Sequence, residues 1–425
     1  MRLLWLNAFV ALFLSQSVFA NTQQAKGHLL AVGGSLTASN AEIYQRFIAL
    51  AGGAERARIG ILPAASGKPA KYSDWFKDDL VRYGLKPEQI EIIPIAVKDE
   101  KKTEADESKW IANAQDKTLA EKVKGYTGIW FLGGDQMRIT QALLAKGEPT
   151  PVLKAMHQAY QQGAVIGGTS AGAAMMSDVM IASGDSMGAL TQGFTSNYEN
   201  MNEQESGPVF ATQGLGFFQQ GVIDQHFDRK ARLGRLIVVN QQFKVKYPLG
   251  FGIDENSGFV YSAAKNSIEA VGYGGITVVD LRESSHKTLG SEPNRYSAWQ
   301  KIRISFLQGG DQLMLDSMEF KVNEKKYDTV GYEYMEVPNP YNNGIFSRNP
   351  NYKDLITYDL VDNKLANEVT SLSFAPDGTG FEARFYQDKL TTGWWNYIDG
   401  LRDNYSAVNV LLDITPIKVS VERMQ

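Results

Sequence analysis

From residue 28 to about 280, apolar positions along the chain alternate between two textures. Short continuous runs, such as His28-Leu-Leu-Ala-Val, Arg58-Ile-Gly-Ile-Leu and Gly128-Ile-Trp-Phe-Leu, end in glycine or other small residues. Between them, apolar residues recur every three or four positions and predict helices over 41–51, 72–83, 142–146 and 152–162. Further strands are predicted over 90–95, 164–167, 221–227 and 249–253. Uninterrupted apolar strands alternating with helices predict a mostly parallel sheet covered on both faces, a three-layer α/β sandwich. In such sheets ligand sites gather beyond the carboxyl ends of the strands, where the glycine-bearing loops fall.

After residue 281 the helical period fades. Ile302–Leu307 and Gln312–Leu315 flank Gly309-Gly310-Asp311 and predict a β-hairpin, and the runs that follow alternate as strands. Two domains are therefore expected: a catalytic α/β domain over 27–297 and a C-terminal β-rich domain over 298–425. Ahead of both, Met1-Arg2 precedes an apolar run from Leu3 to Leu14 and then small residues up to Ala20. This pattern predicts a secretory signal peptide over 1–20, with Asn21 opening the mature chain. The run is short of the roughly 20 residues that span a bilayer. The expected location is extracellular or periplasmic, with no membrane attachment once the leader is cut.

Composition narrows the chemistry. The 425 residues carry a net charge of −4, which offers nucleic acid no electrostatic footing. Zero cysteines remove disulfides, thiolate metal sites and a cysteine nucleophile together. Four histidines remain: His28, His157, His226 and His286. Any mechanism that needs an imidazole draws on these.

Gly168-Thr169-Ser170-Ala171-Gly172 lies where a strand turns into a helix, matching the G-x-S-x-G elbow. Small neighbours are needed there because the nucleophile adopts a strained backbone angle. A helix opening at Ala171 offers N–H groups to a developing oxyanion, with Gly134 or Asp135 of the turn Gly133-Gly134-Asp135-Gln136 as second donor. A serine hydroxyl needs a base. His28 opens the first strand, His157 sits mid-helix and His286 in a polar connector. His226 ends an apolar strand at the level of the elbow, so elimination favours it. For the third member, Asp254 and Glu255 end the strand 249–253, and Asp185 is their rival. The basic run that includes Lys230, Arg232 and Arg235 reads equally as a solvated helix face or as a comb for carboxylates.

Gly-Gly-Asp-Gln at 133–136, Gly-Thr-Ser-Ala-Gly-Ala at 168–173, Asp-Gln-His-Phe at 224–227 and Gly-Ile-Asp-Glu at 252–255, in this order, resemble the cyanophycinases. These are serine exopeptidases related to the aspartyl dipeptidases. The resemblance covers about residues 28 to 280. It implies a glutamine-amidotransferase-like sandwich and hydrolysis of cyanophycin, multi-L-arginyl-poly-L-aspartate, to β-Asp-Arg dipeptides, with no metal or organic cofactor. It also implies Ser170 as nucleophile, His226 as base and Glu255 as acid, with Gln136, Asp224, Gln225, Arg232 and Arg235 lining the substrate pocket. Where the family usually has arginine in the basic run, this chain has Lys230. Two other functions stay open at this stage: a dipeptidase on short Asp-containing peptides, and a catalytically inactive polymer-binding surface protein. For the C-terminal region, polymer binding and homodimer formation are both open.

Overall fold

In the computed structural model, which describes residues 25–198, 205–291, 294–347 and 352–420, successive side chains of the strand His28–Val32 enter two different cores. Leu29 and Ala31 meet the helices Lys117–Val123 and Pro151–Gln162 through Val123, Leu153 and Met156. Leu30 and Val32 meet the helices Ala41–Leu50 and Pro69–Arg82 through Phe47, Phe76 and Leu80. A strand with both faces buried must be apolar throughout, which is why no alternation shows in its sequence. The expected signal peptide, residues 1–20, lies outside the described residues.

Five strands pair in parallel in the order Ile90–Ile92, Ile59–Leu62, Gly128–Phe131, Val165–Thr169, His28–Val32. The predicted parallel order stops there. Beyond His28–Val32 the same nine-stranded sheet continues antiparallel through Ser257–Ser262, Ser267–Gly272, Gln312–Met314 and Glu319–Lys321. Short turns join most of these later strands, and a short turn can only return the chain antiparallel.

A second sheet of eleven strands begins with Val222–Asp224 and Leu249–Ile253, a parallel pair joined through the helix Leu233–Gln242. It then runs antiparallel through Gly275–Asp280, Asn294–Gln308, Arg402–Lys418 and Thr379–Tyr386. The expected boundary at 297/298 falls inside the strand Asn294–Gln308. Leu236 and Val279, before it, share one core with Phe381 and Leu412, after it.

The predicted hairpin around Gly309-Gly310-Asp311 is corrected by this topology. Asn294–Gln308 belongs to the second sheet and Gln312–Met314 to the first, so the glycine turn carries the chain between sheets. The reason is Asp311, fully buried. Its carboxylate accepts from the Gln308 and Asn323 N–H groups at 2.9 Å and pairs with buried Lys326 at 2.8 Å. A turn nailed down inside the protein cannot act as the free tip of a hairpin.

Candidate active site

The elbow strand Val165–Thr169 ends at Ser170, whose backbone sits at φ 54° and ψ −113°. Such a left-handed angle on a residue with a Cβ is held only when the surroundings over-determine it. Here the Ser170 N–H donates to the Val32 carbonyl at 2.9 Å, and the helix Ala171–Ala174 starts at once. A Cβ on Gly168 would lie 2.3 Å from the Gly172 carbonyl oxygen, and one on Gly172 would lie 2.4 Å from that of Phe131. The two glycines of the motif are thus steric requirements of the bend.

His226 and Glu255 come from the other sheet. His226 follows the strand Val222–Asp224 and Glu255 follows Leu249–Ile253, so all three side chains sit just past the carboxyl ends of their strands. Backbone bonds lace the sheets together at this level. The His226 N–H donates to the Gly33 carbonyl (2.7 Å) and Asn256 to Gly34 (2.8 Å), while Phe227 donates to Ile253 (3.0 Å) within the second sheet. The result is a continuous chain of side chains. Ser170 Oγ lies 2.9 Å from His226 Nε2, and His226 Nδ1 lies 2.6 Å from Glu255 Oε1.

The other histidines are occupied elsewhere. His157 is buried, with Nε2 2.9 Å from the Leu215 carbonyl and its ring stacked on Phe217. His28 opens its strand, and His286 packs against Trp299. The rival acids are equally committed. Asp185 accepts from the N–H groups of Gly188 (2.7 Å) and Gly207 (2.8 Å), capping the helix Ser186–Gln192. Asp254 accepts from Asp228 (3.2 Å) and Gly275 (3.1 Å).

Burial holds the His226 imidazole well below its ordinary pKa of 6.5, and the charges of Lys230 and Arg232 push the same way. Glu255 opposes them without winning. At neutral pH the ring is therefore uncharged and can accept a proton. Burial likewise lowers Lys230, helped by Arg232.

The remaining expected site residues divide into three groups. Ala171 opens the elbow helix, where first-turn N–H groups have no intrahelical carbonyl to reach. The Gly133-Gly134 turn abuts it, since a Cβ on Gly133 would lie 3.3 Å from that of Ser170. Gln225 Oε1 is 3.4 Å from Ser170 Oγ. Lys230 and Arg232 line a cavity of about 210 Å³ with Gly184, Met187, Glu205 and Phe346. Lys230 Nζ donates to Glu205 Oε1 at 2.5 Å, and Arg232 donates to the Gln225 carbonyl, which ties the cavity to the serine.

Three expectations are corrected. The Asp135 N–H donates to the Ala65 carbonyl at 3.0 Å and so is turned from Ser170, while its carboxylate caps the next helix at Met137. Gln136 is buried, its amide nitrogen committed to the carbonyls of Ile181 (3.0 Å) and Ala182 (3.1 Å). Asp224 and Arg235 are a fully buried ion pair, with Arg235 Nε 2.7 Å from Asp224 Oδ2 and Nη1 2.7 Å from the Gly184 carbonyl. Their charges are spent on each other beneath the cavity floor.

Two contributors escaped the sequence reading. A Cβ on Gly34 would lie 2.3 Å from the His226 ring, so this glycine seats the imidazole. Phe346 and Ser347, from beyond residue 298, form part of the cavity wall. The strand-then-glycine pattern at Gly33-Gly34 was a signal for the first; nothing local marks the second.

This chain is similar to known peptidases. The family profile described as peptidase family S51 matches residues 29–261. The cyanophycinase of Synechococcus elongatus is 30% identical over 300 residues, covering 68% of this chain and 80% of that protein. That of Geminocystis herdmanii is 31% identical over 296 residues, covering 68% and 94%. Among solved structures, a peptidase from an acI-B1 Actinobacterium matches with a TM-score of 0.43 at 18% identity, covering 69% of this chain and 98% of that one.

Proposed function

This chain belongs to peptidase family S51 and is similar to cyanophycinases, and we propose that it is a secreted serine exopeptidase that removes β-Asp-Arg dipeptides from cyanophycin. The observation that carries the reading is the unbroken path from Ser170 Oγ through His226 to Glu255, at 2.9 and 2.6 Å. Ser170 attacks the scissile carbonyl while His226 Nε2 takes the hydroxyl proton. Glu255 stabilises the imidazolium that forms and fixes the tautomer with the proton on Nδ1. The carbonyl oxygen, now negative, is received by the N–H groups of Ala171 and Gly134. The C–N bond then breaks, and His226 returns its proton to the leaving amine. A water, deprotonated by the same nitrogen, cleaves the Ser170 ester and restores the enzyme.

Substrate chemistry supports the same reading. Each cyanophycin residue presents a guanidinium and a free α-carboxylate. The cavity lined by Lys230 and Arg232 holds these cations for the carboxylate, and two carboxyl side chains, Glu205 and Asp185, for the guanidinium. Burial alone would raise the Glu205 pKa, but Lys230 and Arg232 bring it below the ordinary value, so it stays ionised. We read the helix-covered parallel strands as a glutamine-amidotransferase-like sandwich, and the strands beyond 298 as a β-rich module added to it. Residues 1–20 we read as an export signal, and N-terminal sequencing of protein from culture medium checks the cut before Asn21. Among the described residues, no helix is long and apolar enough to cross a membrane.

The deciding experiment incubates the chain from Asn21 onward with cyanophycin and identifies products by mass. β-Asp-Arg dipeptides, absent with Ser170→Ala, uphold the reading. Turnover of short Asp-containing peptides with the polymer left intact would replace it with a dipeptidase.

A further inference from the structure

We propose that the β-rich module carries a second polymer site, a face that binds guanidinium groups at a distance from Ser170. This inference rests on the substrate reading above. Three strand segments lie side by side here: Tyr327–Asp328, Thr392–Ile398 and Arg402–Lys418. Trp395 pairs with Tyr327 on one side and Tyr405 on the other, and Tyr397 pairs with Asp403. Cross-strand partners share a face, as do residues two apart, so these five side chains stand on one side of the sheet.

The outer part of this face is wet and apolar at once. Tyr327 is 73% exposed and Tyr397 54%, while Tyr405 beneath them is buried against Tyr358, so the open rings form one edge of a contiguous aromatic patch. Trp395 lies between them, 4.6 Å from the Tyr397 ring centroid. At the centre, Asp403 accepts from Trp395 Nε1 at 2.8 Å and from the Tyr358 hydroxyl. A carboxylate has about four acceptor sites, so roughly two remain for an incoming fork of N–H donors. Guanidinium groups stack on aromatic faces and bind carboxylates bidentately, and this face offers both.

Charge points the same way. From residue 298 to 425 acidic residues outnumber basic ones by 18 to 13. The charged groups that bear on Tyr358 and Tyr405 are the carboxylates of Asp354, Asp362 and Asp403. The nearest strand cation, Arg402, pairs with Ile398 on the opposite face, where it lies 4.4 Å over the Tyr273 ring.

The test uses the full mature chain with Ser170→Ala, co-sedimented with insoluble cyanophycin. Tyr327→Ala with Tyr397→Ala is expected to weaken granule binding about tenfold, and Asp403→Asn several-fold. L-arginine amide should displace the protein from granules at concentrations where L-citrulline amide does not. With Ser170 restored, the tyrosine pair should leave turnover of a short soluble Asp-Arg oligomer unchanged, which also shows that the variant folds. Unchanged granule binding by both variants, or no binding by the parent, overturns the proposal. Tyrosine-dependent binding by a protein that releases no dipeptide upholds the face and overturns the substrate reading instead.

Discussion

A Cβ placed on Gly34 would stand 2.3 Å from Cε1 and 2.4 Å from Nε2 of His226, the nitrogen that faces Ser170. The imidazole is positioned against bare backbone, and the neighbouring Gly33 carbonyl accepts the His226 N–H. Gly34 also sits at φ 114°, which residues with a side chain avoid. Gly34→Ala should therefore displace the ring by a fraction of an ångström to an ångström. Misplacement on that scale costs on the order of 100-fold in kcat/KM. Steady-state kinetics beside a thermal melt would check it, and full activity would mean that the ring is held by something else.

Ser170→Ala should lower kcat by about 10⁴ to 10⁶, since members of such a relay act as a unit. Glu255→Gln keeps the shape but favours the wrong tautomer, with an expected loss of about 10³ to 10⁴. Asp185→Ala should leave kcat nearly intact and cost about 1 kcal/mol of stability through the lost helix cap. The pair Glu255→Gln and Asp185→Ala, measured in one assay, would reverse the assignment if their ranks were exchanged.

Activity should persist to unusually low pH. The base works only when neutral, and burial together with Lys230 and Arg232 holds its pKa below 6.5. The acid limb of kcat/KM against pH is thus expected below 6.5, from this group. Lys230→Gln removes one of the charges and should move that limb upward. For stability the sign is the same. A group with a depressed folded pKa stabilises the fold above its unfolded pKa, and the contribution is lost as pH falls through the folded value. A pH profile of the two proteins decides it; an unmoved limb would exclude Lys230 as a cause.

Asp224 and Arg235 should matter to the fold before they matter to binding. Asp224→Asn leaves an uncompensated buried guanidinium, for which a loss of about 3–5 kcal/mol is expected. The readout is the thermal midpoint. A large rise in KM at unchanged stability would instead restore the pair to the substrate pocket.

Much of the site was legible along the chain because its requirements are local. The elbow needs glycines two residues either side of Ser170, and four histidines among 425 residues left few bases to consider. His226 and Glu255 each follow an apolar strand, and a helix between two parallel strands brings their ends to one edge. Those inferences use period, composition and turn chemistry alone.

Other features were settled only by packing. In letters, Gln136 and Arg235 look as fit to bind substrate as Lys230, yet two of the three are buried under strands and only Lys230 reaches the cavity. Gly309-Gly310-Asp311 reads as a hairpin tip, until buried Asp311 and Lys326 turn it into a crossing between sheets. Phe346 reaches the cavity from more than a hundred residues beyond His226. Local sequence records what each segment can do by itself. Which side chains lose water, and which distant segment closes a wall, depends on contacts between residues far apart in the chain. Those contacts exist only once the two sheets have met.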